Sequence, residues 1–174
     1  MKYKYKVLII LAPVLFVVDQ LTKLIILWRV PFGDRISVIP GYFDIIHFRN
    51  TGAAFGFLSG ASDSFRVPFF YIIAVVAAVL LGFYYRSLKD DERLMPVGLS
   101  FVFGGIAGNM LDRIRLGSVV DFLSFHIKDE ILNFSLLGRA YEITLEWPAF
   151  NVADMAITFA MFILIFKMLT SKEA

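Results

Sequence analysis

The side chains best able to do chemistry in this chain are aspartates set in, or at the edge of, long apolar runs: Asp19, Asp112, Asp121 and Asp154. An ionisable group inside hydrocarbon costs about 2.5–3.5 kcal/mol on insertion scales, so each needs a physical reason to be there. Asp19 and Lys23 are four residues apart, which puts them on one helix face and within reach of each other. They can serve as a self-neutralising pair that helps to pack a bundle, or as part of a site. In Gly104-Gly-Ile-Ala-Gly-Asn-Met-Leu-Asp-Arg113, helical geometry gathers Gly105, Gly108, Asn109 and Asp112 within an arc of roughly 100°. Small residues so spaced let a neighbouring helix come close. Asp112 next to Arg113 reads as a structural ion-paired group rather than a catalyst. Asp121 lies just beyond this segment, and Asp154 one turn into a later apolar run, on a helix face shared with Asn151 and Thr158. If the two segments are neighbours, both carboxylates meet at one membrane edge. Two carboxylates sharing a proton are a hydrolytic device, one activating water while the other protonates the substrate. A polar cap on the last helix is the competing reading of Asp154.

Other chemistries have less support. His47 and His126 stand alone, without metal-ligand spacing, so no metal is expected. Cysteine is absent, which removes disulfides and a thiolate nucleophile, and no Gly-x-Ser-x-Gly elbow occurs. A Ser–Lys arrangement built on Lys23 stays open. The net charge of +2, without a basic stripe interleaved with aromatics, argues against nucleic acid as a partner.

The elements that must position these groups are membrane helices. The 174 residues are 59% hydrophobic and 18% charged, and a soluble core of this size has no room for so much apolar side chain. Four runs, about 7–28, 67–85, 94–114 and 152–168, approach the roughly 20 residues of helix needed to cross hydrocarbon. The first follows Met-Lys-Tyr-Lys-Tyr-Lys, resembles the start of a signal peptide without a small-residue cleavage site, and is read as a retained anchor. The expectation is one membrane domain spanning residues 1–174. Dense basic charge at the N-terminus, in Arg86–Arg93 and at Lys167 and Lys172 places both termini in the cytoplasm, with loops 29–66 and 115–151 outside. Those loops carry strand signals. Ile36–Ile39 and Tyr42–Phe48 flank Pro40-Gly41, and the alternation Tyr141, Ile143, Leu145, Trp147 suits a half-exposed strand paired with Leu132–Leu136 across Gly138-Arg139. The fold class expected is an all-α transmembrane bundle of four helices with a small extracytoplasmic β-sheet cradle.

Five strings occur in order: Asp19-Gln-Leu-Thr-Lys23, Asn50-Thr-Gly-Ala-Ala-Phe55, Gly104-Gly-x-x-Gly-Asn-x-x-Asp-Arg113, Val119-Val-Asp-Phe122 and Phe150-Asn-Val-Ala-Asp154. Together they resemble the bacterial lipoprotein signal peptidases (signal peptidase II), over about Asp19 to Thr158. The resemblance implies a metal-free and cofactor-free aspartic endopeptidase of the bacterial inner membrane. It would cut diacylglyceryl-modified prolipoproteins just before the lipidated cysteine, at the outer face, and globomycin would block it. By matching motifs, Asp121 and Asp154 are the catalytic dyad. Asp19, Lys23, Asn50, Gly52, Asn109, Asp112, Arg113 and Asn151 match positions that line or support the site. The partners implied are the precursor and membrane lipid, and the enzyme is expected to be a monomer. The stretch between Asp121 and Asp154 is longer than the usual pattern, with an extra hairpin around Gly138.

Two rivals come from other classes. A small ion-coupled transporter would spread ionisable groups through the bilayer depth, whereas here all but Asp19 and Lys23 lie near one edge. A non-catalytic assembly subunit would use the polar edge as a docking patch.

Overall fold

The computed structural model describes residues 1–52, 60–136 and 139–170, with Asp63 and residues 128–136 and 139–144 described as backbone only. Ala53–Phe55 of the second string, and Gly138 of the extra hairpin, therefore lie outside the described residues. Among the described residues four helices form: α1 (Tyr3–Arg29), α2 (Asp63–Ser87), α3 (Leu94–Leu116) and α4 (Val152–Thr170). All four are long and apolar enough to cross a membrane. Leu, Ile, Val, Phe and Ala dominate them, and on α1, α2 and α4 many of the apolar side chains face outward. On α2, Ile72, Ile73, Val75, Val76, Val79, Leu80 and Phe83 are all exposed. Such a surface is stable only against lipid.

Helix α3 lies between α1 and α4, and α2 packs on α3. Glycine makes the close approaches possible. A methyl group at Gly105 would stand 2.7 Å from the Ala153 carbonyl oxygen and from Ile157, and one at Gly104 would stand 2.9 Å from the Ala12 carbonyl oxygen. Helix α4 answers with its own small stripe, the buried Ala153, Ala156 and Ala160. Without a hydrophobic drive between helices in lipid, this packing and the polar contacts it permits hold the bundle together.

Four strands form one antiparallel sheet in the order β1 (Arg35–Ile39), β2 (Phe43–Asn50), β3 (Val119–Leu136), β4 (Arg139–Glu146). The hairpin expected at Pro40-Gly41 is present, with Gly41 at φ 78°. The second hairpin pairs Leu132 with Ile143 and Leu136 with Arg139, and β4 ends at Glu146, so Trp147 falls beyond the strand and is exposed. Strand β3 begins much earlier than the expected Leu132. Gly117, left-handed at φ 69°, ends α3, and two residues later the chain is in the sheet. Val120 and Phe122 then pack against Ile26 of α1 and Val30 just beyond its end.

The sheet lies at one end of the bundle. At the other end the terminal segments meet the α2–α3 turn. Lys4 donates to the Arg86 and Leu88 carbonyls, Lys2 pairs with Asp90 at 2.8 Å, and Lys167 pairs with Glu92 at 3.0 Å.

Candidate active site

The site forms where the sheet end of α3, the start of α4 and the first residues of β3 converge. The deepest layer is an ion cluster. Lys23 lies 2.9 Å from Asp19 and 3.0 Å from Asp112, with all three side chains almost fully buried. Breaking such a cluster leaves an uncompensated buried charge, so it ties α1 to α3 firmly. Gln20 adds three contacts through its amide nitrogen, to Asp19, Asp112 and the Gly108 carbonyl, each at 3.1 Å. Asp19 also accepts from the backbone N–H of Ala153 at 2.9 Å, which stabilises the positive N-terminal end of α4. The sequence showed the Asp19–Lys23 pair, but the cluster is larger than that pair. The expected association of Asp112 with Arg113 is corrected: consecutive helix residues point about 100° apart. Asp112 turns inward to Lys23 and accepts from the Val120 N–H at 3.1 Å, which anchors the start of β3. Arg113 instead donates to the Gly52 carbonyl at 3.2 Å and lies 4.8 Å from the Phe70 ring.

Above this layer stand two carboxylates. The backbone of Phe150 bonds to β3, its carbonyl accepting from Phe122 and Leu123 and its N–H donating to the Leu123 carbonyl, so that Asn151 lies beside Asp121. Asn151 donates from its side chain to Asp121 at 2.7 Å. It also exchanges bonds with Asp154: its N–H donates to the Asp154 carboxylate at 3.2 Å, and its side-chain oxygen accepts from the Asp154 N–H at 3.1 Å. That reciprocal pair is a capping box, so the cap reading of Asp154 holds as geometry. The cap uses one carboxylate oxygen. The other accepts from Asn109 at 2.8 Å, and Asn109 in turn accepts from Lys23 at 2.9 Å. Asn50 closes the far side, donating to Asp121 at 3.0 Å and accepting from the Gly52 N–H at 3.0 Å.

Asp121 is almost fully buried. Burial first, and the nearby charge of Asp154 second, push its carboxyl up to about 7, against the bonds from Asn50 and Asn151. A carboxyl still protonated near neutrality beside a second carboxylate is suited to acid–base work on a peptide bond. The structure thus brings together Asp19, Lys23, Asn50, Gly52, Asn109, Asp112, Arg113, Asp121, Asn151 and Asp154. It does not include Thr158, which is exposed. Gln20 is the contributor the sequence reading left without a role; its signal was a polar amide beside Asp19 in an apolar helix. Among the described residues, no group of three or more His, Cys, Asp or Glu could hold a metal ion. His47 instead bonds the Val30 carbonyl at 2.8 Å.

Two linked carboxylates at the sheet end of a bundle of four membrane-length helices make a group whose chemistry suits hydrolysis. Comparison with known proteins gives the family. Residues 11–170 match the family described as signal peptidase (SPase) II, and the chain belongs to it. The lipoprotein signal peptidase of Geobacter metallireducens is 40% identical over 173 residues, 99% of this chain and 96% of that protein. That of Syntrophotalea carbinolica is 41% identical over 154 residues, 88% of this chain and 85% of that one. A solved bacterial membrane enzyme superposes with a TM-score of 0.76 at 30% identity, covering 99% of this chain and 97% of its own.

Proposed function

We propose that this signal peptidase II is an aspartic endopeptidase in which Asp121 and Asp154 hydrolyse the bond just before the diacylglyceryl-modified cysteine of prolipoproteins. Family membership carries the activity, removal of signal peptides from lipoprotein precursors. The observation that carries the aspartic mechanism is Asn151, which bonds Asp121 through its side chain and Asp154 through its backbone and so holds two carboxylates in one hydrogen-bonded unit. Water activated by one carboxylate attacks the carbonyl carbon while the other protonates the carbonyl oxygen, and neither metal nor cofactor enters the reaction.

The location of the site suits the substrate. Acyl chains and signal helix stay in hydrocarbon against the exposed apolar faces of the bundle, while the scissile bond reaches polar groups at its edge. We place the sheet and the dyad at the outer face of the inner membrane. The termini and the Arg86–Arg93 turn, which share the opposite end and carry the dense basic charge, then lie in the cytoplasm. Globomycin is expected to compete with substrate at the dyad, and the protein to act as a monomer without nucleic acid. A transporter would need ionisable groups along its depth; Asp19, Lys23 and Asp112 instead neutralise one another in a single buried cluster.

The test is incubation of the purified protein with a diacylated precursor and with the same precursor unacylated, scored by gel shift, with and without chelator. Cleavage of the diacylated form alone, unaffected by chelator, is expected. Equal cleavage of both forms would remove the lipid requirement, and loss of activity on chelation would remove the metal-free mechanism.

A further inference from the structure

The two carboxylates have different surroundings. Among the described residues, the donors to Asp121 are neutral amides, Asn50 at 3.0 Å and Asn151 at 2.7 Å. Asp154 accepts from a backbone N–H at the start of α4, at 3.2 Å, and from Asn109 at 2.8 Å. Asn109 is not an ordinary neutral donor. Its carbonyl oxygen accepts from the Lys23 ammonium at 2.9 Å, which polarises the amide and strengthens the bond its nitrogen donates. One amide therefore links a buried cation to one carboxylate of the pair.

We propose that Lys23, acting through Asn109, holds the negative charge of the dyad on Asp154, so that Asp154 is the base that activates water and Asp121 the acid that protonates the substrate. This assignment rests on the dyad reading above.

The other charged groups facing the pair do not reverse the asymmetry. From α1, Asp19 is balanced by Lys23, and from α3, Asp112 is balanced by the same ammonium. Arg113, also from α3, acts on both carboxylates and lies with Tyr71 of α2 beside it. Its route to Asp121 is broken at Gly52, whose carbonyl accepts from Arg113 while its N–H, in the preceding peptide group, donates to Asn50; a single amide joins Lys23 to Asp154. On β2, Arg49 turns to His47 at 3.2 Å. The long burial of Asp121, which keeps its proton to about 7, agrees with the acid role.

The steps then balance. Asp154 takes a proton from water, the water oxygen bonds to the carbonyl carbon, and Asp121 gives its proton to the carbonyl oxygen, leaving a gem-diol. Asp154 passes its proton to the amide nitrogen, the carbon–nitrogen bond breaks, and Asp121 recovers a proton from the diol. Acid and amine leave, with both carboxyls restored. Lys23 and Asn109 touch neither substrate nor water in this scheme; they are positioning residues.

Two measurements test the assignment. Infrared spectra of the resting protein are taken near pH 5.5, between the usual carboxyl range and about 7. The carbonyl stretch of a buried protonated carboxyl should be present in wild type, retained in Asp154→Asn and lost in Asp121→Asn. In Asn109→Leu, Asp154 loses a charge-assisted donor, so the low-pH limb of the rate profile should move up by about one pH unit or more while the high-pH limb stays. A merely structural role for Asn109 would lower the rate without moving the limb. A band that survives in Asp121→Asn and vanishes in Asp154→Asn, or an unmoved limb in Asn109→Leu, overturns the assignment and leaves the dyad standing. Cleavage by either dyad variant overturns the dyad and the assignment together.

Discussion

Alanine at Gly108 sets two well-understood effects against each other, and the structure decides which wins. In an unobstructed helix interior the change from glycine to alanine stabilises by about 1 kcal/mol. At Gly108 the added methyl would overlap the Asp19 carboxylate, with Oδ2 closest and Cγ at 3.0 Å. That carboxylate cannot step aside freely, because it is held by Lys23 at 2.9 Å, Ala153 N–H at 2.9 Å and Gln20 at 3.1 Å. Overpacking a rigid core costs about 1–3 kcal/mol. Losing one hydrogen bond to a charged group adds about 1.5–3 kcal/mol. The sum, less the helix gain, is a net loss of about 2–5 kcal/mol. At roughly 2–4 °C per kcal/mol for a chain of this size, the midpoint should fall by about 4–20 °C. Gly82 on α2 is the control, since a methyl there meets nothing within 4 Å, and Gly82→Ala should match or exceed wild type. The assay is thermal unfolding in detergent, followed by tryptophan fluorescence. A Gly108→Ala protein as stable as Gly82→Ala would refute the claim that the approach of α1 to α3 is set by Asp19.

Lys23→Ala strands Asp19 and Asp112 without their cation, and breaking a buried ion cluster costs about 3–5 kcal/mol, so yield and thermal midpoint should drop sharply with residual cleavage in whatever folds. A fully stable Lys23→Ala protein without turnover would favour a Ser–Lys mechanism instead. Because the folded Asp121 carboxyl keeps its proton to about 7 while the unfolded one ionises near 4, its contribution to stability is greatest below about pH 4 and is lost as pH rises to about 7. The midpoint of wild type should therefore decline relative to that of Asp121→Asn across this window, and parallel curves would contradict the raised value. Ser62 and Ser87 are exposed at opposite ends of α2. In intact cells an impermeant thiol reagent should label Ser62→Cys and spare Ser87→Cys; the reverse would invert the orientation.

The helices were legible because each is a long apolar run, and the first hairpin because Pro40-Gly41 separates two strand-like segments. The start of β3 was not, for a physical reason. Val119, Val120, Asp121 and Phe122 are all buried, so the stretch shows no alternation of inward and outward residues and gives no period-two signal. The candidate residues were legible through their strings, and the structure brings them together. How they connect was not. Spacing could not show that Phe150 docks on Leu123, which is what carries Asn151 to Asp121. Nor could adjacency identify the partner of Asp112, since the nearest charge in sequence, Arg113, faces another way. Gly108 looked like a packing residue; that it makes room for a carboxylate depends on a helix 88 residues away from it, as the Gln20–Gly108 bond shows.

The most direct test of the dyad is single-turnover cleavage of the diacylated precursor by folded Asp121→Asn, Asp154→Asn and the double variant. Asparagine keeps the size and much of the hydrogen bonding, but it can neither accept a proton as base nor donate one with comparable acidity. Each single change should remove nearly all cleavage while the protein stays folded and still binds globomycin. The double variant should lose little more, because the pair acts as one unit. Substantial cleavage by either single variant would contradict the account.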